Sequence, residues 1–315
     1  MVVNDTIDVS PLAAGAMAYV HSKSGPLHGV DIELSTMEWT YDVEGGFANA
    51  GALSEDTLYI GDYNKHIYAI DRHKGKLKWK VELGGSVVST PVIDGDMLFC
   101  GGKDRYFYAL STQDGSVIWK QKANGMFFAT PAVSEKFVFC KASDRNLYAW
   151  VRKDGTLQWK TSLESREHDN VVYHDGVIYI ADNTMLYALD AVDHNRKWVR
   201  RFSANICSAP AVDDNMIYLG CSNDFCYGIN RSTGEIEWTC ILSAKVKARP
   251  SVIGDKVLLS CLDKNLYVVD KKSGEMGWFH TFDASMSTAA IPHKDVILVT
   301  NNNRLQVLQI SGPKK

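Results

Sequence analysis

The longest apolar runs in this 315-residue chain are four to six residues, far short of the roughly 20 that a membrane-crossing helix needs. A spanning helix is excluded on that ground. Charge of one sign is also missing, since 34 basic against 37 acidic residues leave a net charge of −3. That balance gives no footing for a nucleic-acid partner or for an anionic lipid surface. The seven cysteines are odd in number, and no two are adjacent or in C-x-x-C spacing. They read as reduced, mostly buried thiols of a cytoplasmic protein. The opening MVVNDTIDVSPLAAGAMAYV has no basic n-region, no long apolar stretch and no lipid-attachment cysteine, which favours the same compartment. Helical periodicity is lacking too, so almost no helix is expected.

What the chain does have is repetition. Trp stands at 39, 79, 119, 159, 198, 238 and 278, with Trp150 alone outside the series. The successive spacings are 40, 40, 40, 39, 40 and 40. Within one period, residues 90–119, short apolar runs are separated by polar turns: TPVID, MLFCG, YFYALS and SVIWK, broken at DGD, GKDR and TQDG. Asp, Asn and Gly at such breaks supply left-handed backbone and local hydrogen bonds. Four short strands (A to D) in about 40 residues make one blade of a β-propeller. The fold class expected is all-β, one single domain over residues 1–315.

Seven Trp residues suggest seven blades, but the B–C hairpins number eight. At the start, SPLAAGAMAYV (10–20) aligns with TPVIDGDMLFC (90–100). At the end, STAAIPHKDVILV (287–299) supplies strands A and B, and RLQVLQI (304–310) supplies C, with no D strand after it. The expectation is an eight-bladed propeller of four-stranded antiparallel blades, its last blade closed by an N-terminal strand at 3–9. Closure of that kind removes open sheet edges.

The repeated segment resembles the PQQ-like repeat, A-x-D-x-x-T-G-x-x-x-W. It reads AIDRHKGKLKW (69–79), ALSTQDGSVIW (109–119), AWVRKDGTLQW (149–159), ALDAVDHNRKW (188–198), GINRSTGEIEW (228–238) and VVDKKSGEMGW (268–278), with a degenerate GVDIELSTMEW (29–39). The resemblance covers nearly the whole chain. It implies a family of quinone-dependent alcohol dehydrogenases, an eight-bladed outer-membrane barrel-assembly lipoprotein and other soluble propellers. Quinone binding in those dehydrogenases goes with an adjacent Cys-Cys pair, a calcium site and long insertions. This sequence has no Cys-Cys pair and no long insertion, so neither PQQ nor another cofactor, nor a metal, is expected. The lipoprotein role fits the blade count and conflicts with the opening residues. Read physically, Trp39, Trp79, Trp119, Trp159, Trp198, Trp238 and Trp278 dock one blade on the next, each indole N–H seeking a backbone carbonyl there.

Any site must lie where the repeat is not followed. In the row that leads into strand A, Ile7, Phe47, Val87, Phe127, Ile206, Val246 and Met286 are apolar and Glu167 is not. Three positions on, the row of Thr90 is small or modest except for Arg249. Two segments therefore stand out, SREHDN (165–170) and AKVKARP (244–250). Unpaired charge is costly to bury, so these residues need either each other or a ligand. As a funnel mouth, Arg166, Lys245, Lys247, Arg249 and Asn170 would hold a carboxylate or phosphate, beside Phe47 and Phe128. His168, with Glu167 and Asp169 on either side, makes up the weak set of catalytic candidates, the imidazole as proton carrier. Their alternative is a salt-bridged rim. No nucleophile–base–orienter set can be assembled, and the reading leans away from an enzyme. Cys221 with Cys226, the histidines His66, His73 and His194, and the turn residues Asp104 and Asp144 read as structural. The expected function is a non-enzymatic scaffold that binds a protein or peptide through its loops or central face. The alternative is a cofactor-independent enzyme or sensor for a small anionic ligand; neither includes nucleic acid or membrane insertion.

Overall fold

A computed structural model describes residues 7, 9–22, 25–165 and 170–310. Among them every regular element is a strand. Seven sheets have four antiparallel strands in the order A-B-C-D, and an eighth has three, Ile291–His293, Val296–Asn301 and Arg304–Gln309. The eight sheets are the blades of a propeller. In the third blade the strands are Val92–Asp94, Met97–Gly101, Tyr106–Ser111 and Val117–Lys122. The innermost strand Leu12–Ala14 of the first blade lies against Ile291–His293 of the last, and this contact closes the ring.

The residue patterns follow from where each strand sits. Strands B and C are covered on both faces by neighbouring blades, so they read as near-continuous apolar runs. Met97–Gly101 is buried at every position. Strand D is covered on one face only, and in Val117–Lys122 exposed residues interleave with Trp119 and Gln121. The cores accordingly lie between blades. Phe107, Trp119, Phe127 and Trp150, from the third and fourth blades, share one cluster.

The tryptophans dock blades as their spacing predicts. Six indole N–H groups donate to a carbonyl of the next blade: Trp39 to Arg72, Trp79 to Thr112, Trp119 to Arg152, Trp159 to Ala191, Trp198 to Arg231 and Trp238 to Lys271. Five of the six span 33 residues, and the Trp159 bond spans 32. The corresponding acceptor for Trp278 would be residue 311, outside the described residues. The glycine of the repeat has its reason in the same contact. Gly115 has φ 74°, and a Cβ there would stand 2.8 Å from the Trp79 ring. His194 takes that place in the fifth blade at φ 52° and meets the Trp159 ring edge-on, 5.2 Å away. In the first blade the place belongs to Ser35, φ 56°, which faces the blade whose described part has no D strand.

Replacing Trp119 with Phe should keep most of the packing and lose the bond to Arg152, costing about 1 kcal/mol. Trp119→Ala should cost about 3–5 kcal/mol. Urea denaturation of both variants measures this, and equal losses would mean that the indole bond contributes nothing separable.

Of the strand assigned to 3–9, only Ile7 and Val9 are described, and both lie in the loop entering the first blade. They still tie the two ends of the chain together. Ile7 is buried with Leu298 and Leu305, and its N–H donates to Asn302 O at 2.6 Å. The equivalent bonds elsewhere join consecutive blades, as from Val87 N–H to Asp62 O. Thr300 Oγ1 donates to Val9 O, and Ala289 N–H donates to Ser10 Oγ.

Candidate central channel site

The short A strands line the channel, and the loops before them form one mouth. Their first residues are small because eight backbones converge there. Where a longer polar side chain occurs it braces a neighbour. Asn170 Oδ1 accepts from the Thr130 N–H of the previous blade at 2.8 Å, as Ser10 does for Ala289 at the ring closure.

Arg249 breaks the row differently. It starts from the seventh blade, yet it lines the same cavity as Val92, Thr130, Pro131, Asn170 and Tyr173 of the third to fifth blades. It therefore reaches across the channel. The cavity has a volume of about 650 Å³. Arg249 is exposed to the water of the channel, and the protein walls around it desolvate it in part, which lowers its pKa from the usual arginine value. Among the described residues it has no ion-pair or hydrogen-bond partner. The other arginine of the cavity, Arg152, is paired with Asp94 at the opposite mouth.

The remaining expected site residues are distributed as follows. Arg166, Glu167, His168 and Asp169 lie outside the described residues. Lys245 and Lys247 are exposed on the mouth and do not line the cavity. Phe128 is half-buried. Phe47 is a correction: it is 0% exposed, packed edge-on against Tyr68 and His21 between the first two blades. Its row carries the plugs of the inter-blade cores, so a large ring there turns inward rather than toward a ligand. Cys221 and Cys226 are buried free thiols, and burial raises both, Cys221 to about 12. His66 bonds Asp62 through Nδ1 at 3.0 Å.

One pair was missed by reading rows at strand A alone. Lys141 ends strand B of the fourth blade, where three other blades have Gly61, Gly101 and Gly220. Its ammonium meets Asp182 Oδ1 of the fifth blade at 3.0 Å, with side chains 1% and 0% exposed. Asp182 also accepts from the N–H groups of Glu164 and Ser165, at 2.6 and 2.9 Å. A buried ion pair thus pins the loop that leads into SREHDN. Aligning the ends of strand B would have set the lysine against the glycines of three other blades, with His21 of the first blade as the other large residue there.

With this geometry in hand, comparison with known proteins places the chain. The sequence model of the family described as outer membrane protein assembly factor BamB matches residues 31–117, 83–172, 148–291 and 227–312. No individually curated protein matches. The solved structure of BamB from Moraxella catarrhalis superposes with a TM-score of 0.79 at 17% identity, over 95% of this chain and 94% of that one. The computationally designed Ika8 protein gives 0.85 at 12% identity, over 98% of each chain. Quinohemoprotein alcohol dehydrogenase from Comamonas testosteroni gives 0.85 at 10% identity, over 100% of this chain and 76% of that chain. At these identities the superpositions show the fold, which the three share despite unlike purposes.

Proposed function

We propose that this chain, which belongs to the family described as outer membrane protein assembly factor BamB, is a scaffold that binds a protein partner. The observation that carries the reading is the extent of that match, whose segments run from residue 31 to residue 312. A propeller suits such work because blade packing fixes its loops in space, and positioned loops bind well. The test is in-cell cross-linking of the tagged protein, followed by identification of the cross-linked residues. The expected result is a stoichiometric partner on the loops or outer strands. Cross-links confined to self-contacts, with no partner at stoichiometric yield, would overturn it.

Arg249 favours a second reading, an anionic small molecule in the channel. A channel-facing guanidinium, partly desolvated and without a counter-charge among the described residues, would gain from a carboxylate or phosphate. At a ligand concentration a hundredfold above Kd the folded state gains about 2.7 kcal/mol. A thermal-shift screen of carboxylates and phosphates should therefore show stabilisation by at least one compound, and Arg249→Ala should abolish it. A flat screen, or shifts that survive in Arg249→Ala, would sink this reading.

A further inference from the structure

The outer strands of the blades are not alike. Each is the last strand of its sheet and pairs only with strand C among the described strands. Open edges of this kind invite further pairing, and Lys or Arg on them blocks it. Leu77–Glu82 carries Lys78 and Lys80, Val117–Lys122 carries Lys120 and Lys122, and Arg196–Arg201 carries four basic residues. Leu157–Ser162 carries Lys160, while Thr36–Tyr41 and Ile236–Ile241 each hold one Glu. Met276–Thr281 of the seventh blade, sequence MGWFHT, is the single described D strand with no Asp, Glu, Lys or Arg.

The exception lies at one position. Lys80 lies over the Tyr68 ring at 5.0 Å, and opposite Tyr267 the same place holds Phe279, 54% exposed and 5.8 Å from that ring. Met276 is also exposed. The backbone between them is available. Phe282 N–H bonds inward to Lys264 O at 2.8 Å, so alternation along the strand turns the N–H groups of Phe279 and Thr281 outward. The strand is bracketed by two exposed acids, Glu275 and Asp283; Asp283 meets Arg304 at 3.3 Å, but its side chain stays 75% exposed and open to a second cation. Of the lysines in the preceding turn, Lys271 is held by Asp213 and Lys272 is exposed.

We propose that the Met276–Thr281 edge is a docking seat for an extended segment of a partner protein, added as a fifth strand, with apolar residues at alternate positions and Lys or Arg at its ends. The apolar residues would cover Phe279 and Met276, and the basic ends would face Glu275 and Asp283. This rests on the scaffold reading and names its surface.

The test is selection from a display library of random ten-residue peptides, run in parallel on the protein and on Phe279→Lys. That variant restores the lysine found in the second to fourth blades and should melt unchanged. Thr281→Pro removes an outward N–H without touching Phe279. The expected result is enrichment of alternating apolar peptides with basic ends, with affinity at least tenfold weaker in both variants. Absence of enrichment over Phe279→Lys, or enrichment of acidic peptides, would overturn the proposal. So would concentration-dependent dimerisation that Phe279→Lys abolishes, because the occupant would then be a second copy. A cross-linked partner bound equally well by Phe279→Lys would leave the scaffold reading standing and remove this one.

Discussion

Lys141→Ala is expected to cost about 3–5 kcal/mol of stability, more than any exposed charge change in the molecule. The ammonium removed is 3.0 Å from Asp182, whose side chain is 0% exposed. The carboxylate left behind keeps the two N–H bonds from Glu164 and Ser165, but it loses its counter-ion in a place water does not reach. Surface pairs give the contrast. Lys78–Asp56, whose Asp side chain is 68% exposed, should change stability by about 0–1 kcal/mol when broken. Urea denaturation of Lys141→Ala and Lys78→Ala at one pH checks the difference. Similar losses in the two would mean that the buried pair is not what pins the loop before the fifth blade. Hydrogen exchange at Glu164 and Ser165 should rise in Lys141→Ala and stay put in Lys78→Ala.

Deleting residues 1–10 is the second large effect expected. The segment contributes the buried Ile7, its bond to Asn302, the Val9 carbonyl that accepts from Thr300 and the Ser10 oxygen that accepts from Ala289. These contacts stitch the last blade to the first, and a ring opened at one seam exposes two inter-blade faces together. Ile7→Ala alone should cost about 2–5 kcal/mol. The deletion should cost more than that and drive association through the bared Leu298 and Leu305 surface. Size-exclusion chromatography with light scattering and a thermal melt read both consequences. A truncated protein that stays monomeric and melts where the intact chain does would refute closure through the N-terminal segment, and with it the proposal that residues 3–9 complete the last blade.

The fold was legible to an unusual degree because its information is local and repeated. The Trp spacing sets the period, the B–C hairpins count the blades, and the apolar runs separate the doubly covered strands B and C from the half-covered D. The glycine of five C–D turns marks where the indole of the preceding blade lies. Each signal comes from within a single 40-residue period, so no long-range pairing had to be guessed. The site was less legible. Arg249 was singled out by its misfit to a row and Asn170 by its place in SREHDN, and both line one cavity. Phe47 was misplaced because a row alignment says which positions are equivalent, not whether a side chain turns to the channel or to the adjacent blade. Lys141 and Asp182 were missed because they lie 41 residues apart in different blades, and the lysine's misfit falls at the end of strand B, away from the rows at strand A.

By itself the sequence determined the periodic part of this protein: the strands of each full period, blade order, the docking tryptophans and the turns that hold them. Only the tertiary structure decided which departures meet. Whether a charge is buried against a partner, stretched across a channel or left on an open edge depends on distances between blades. Those distances are set when the ring closes, and no single period contains them.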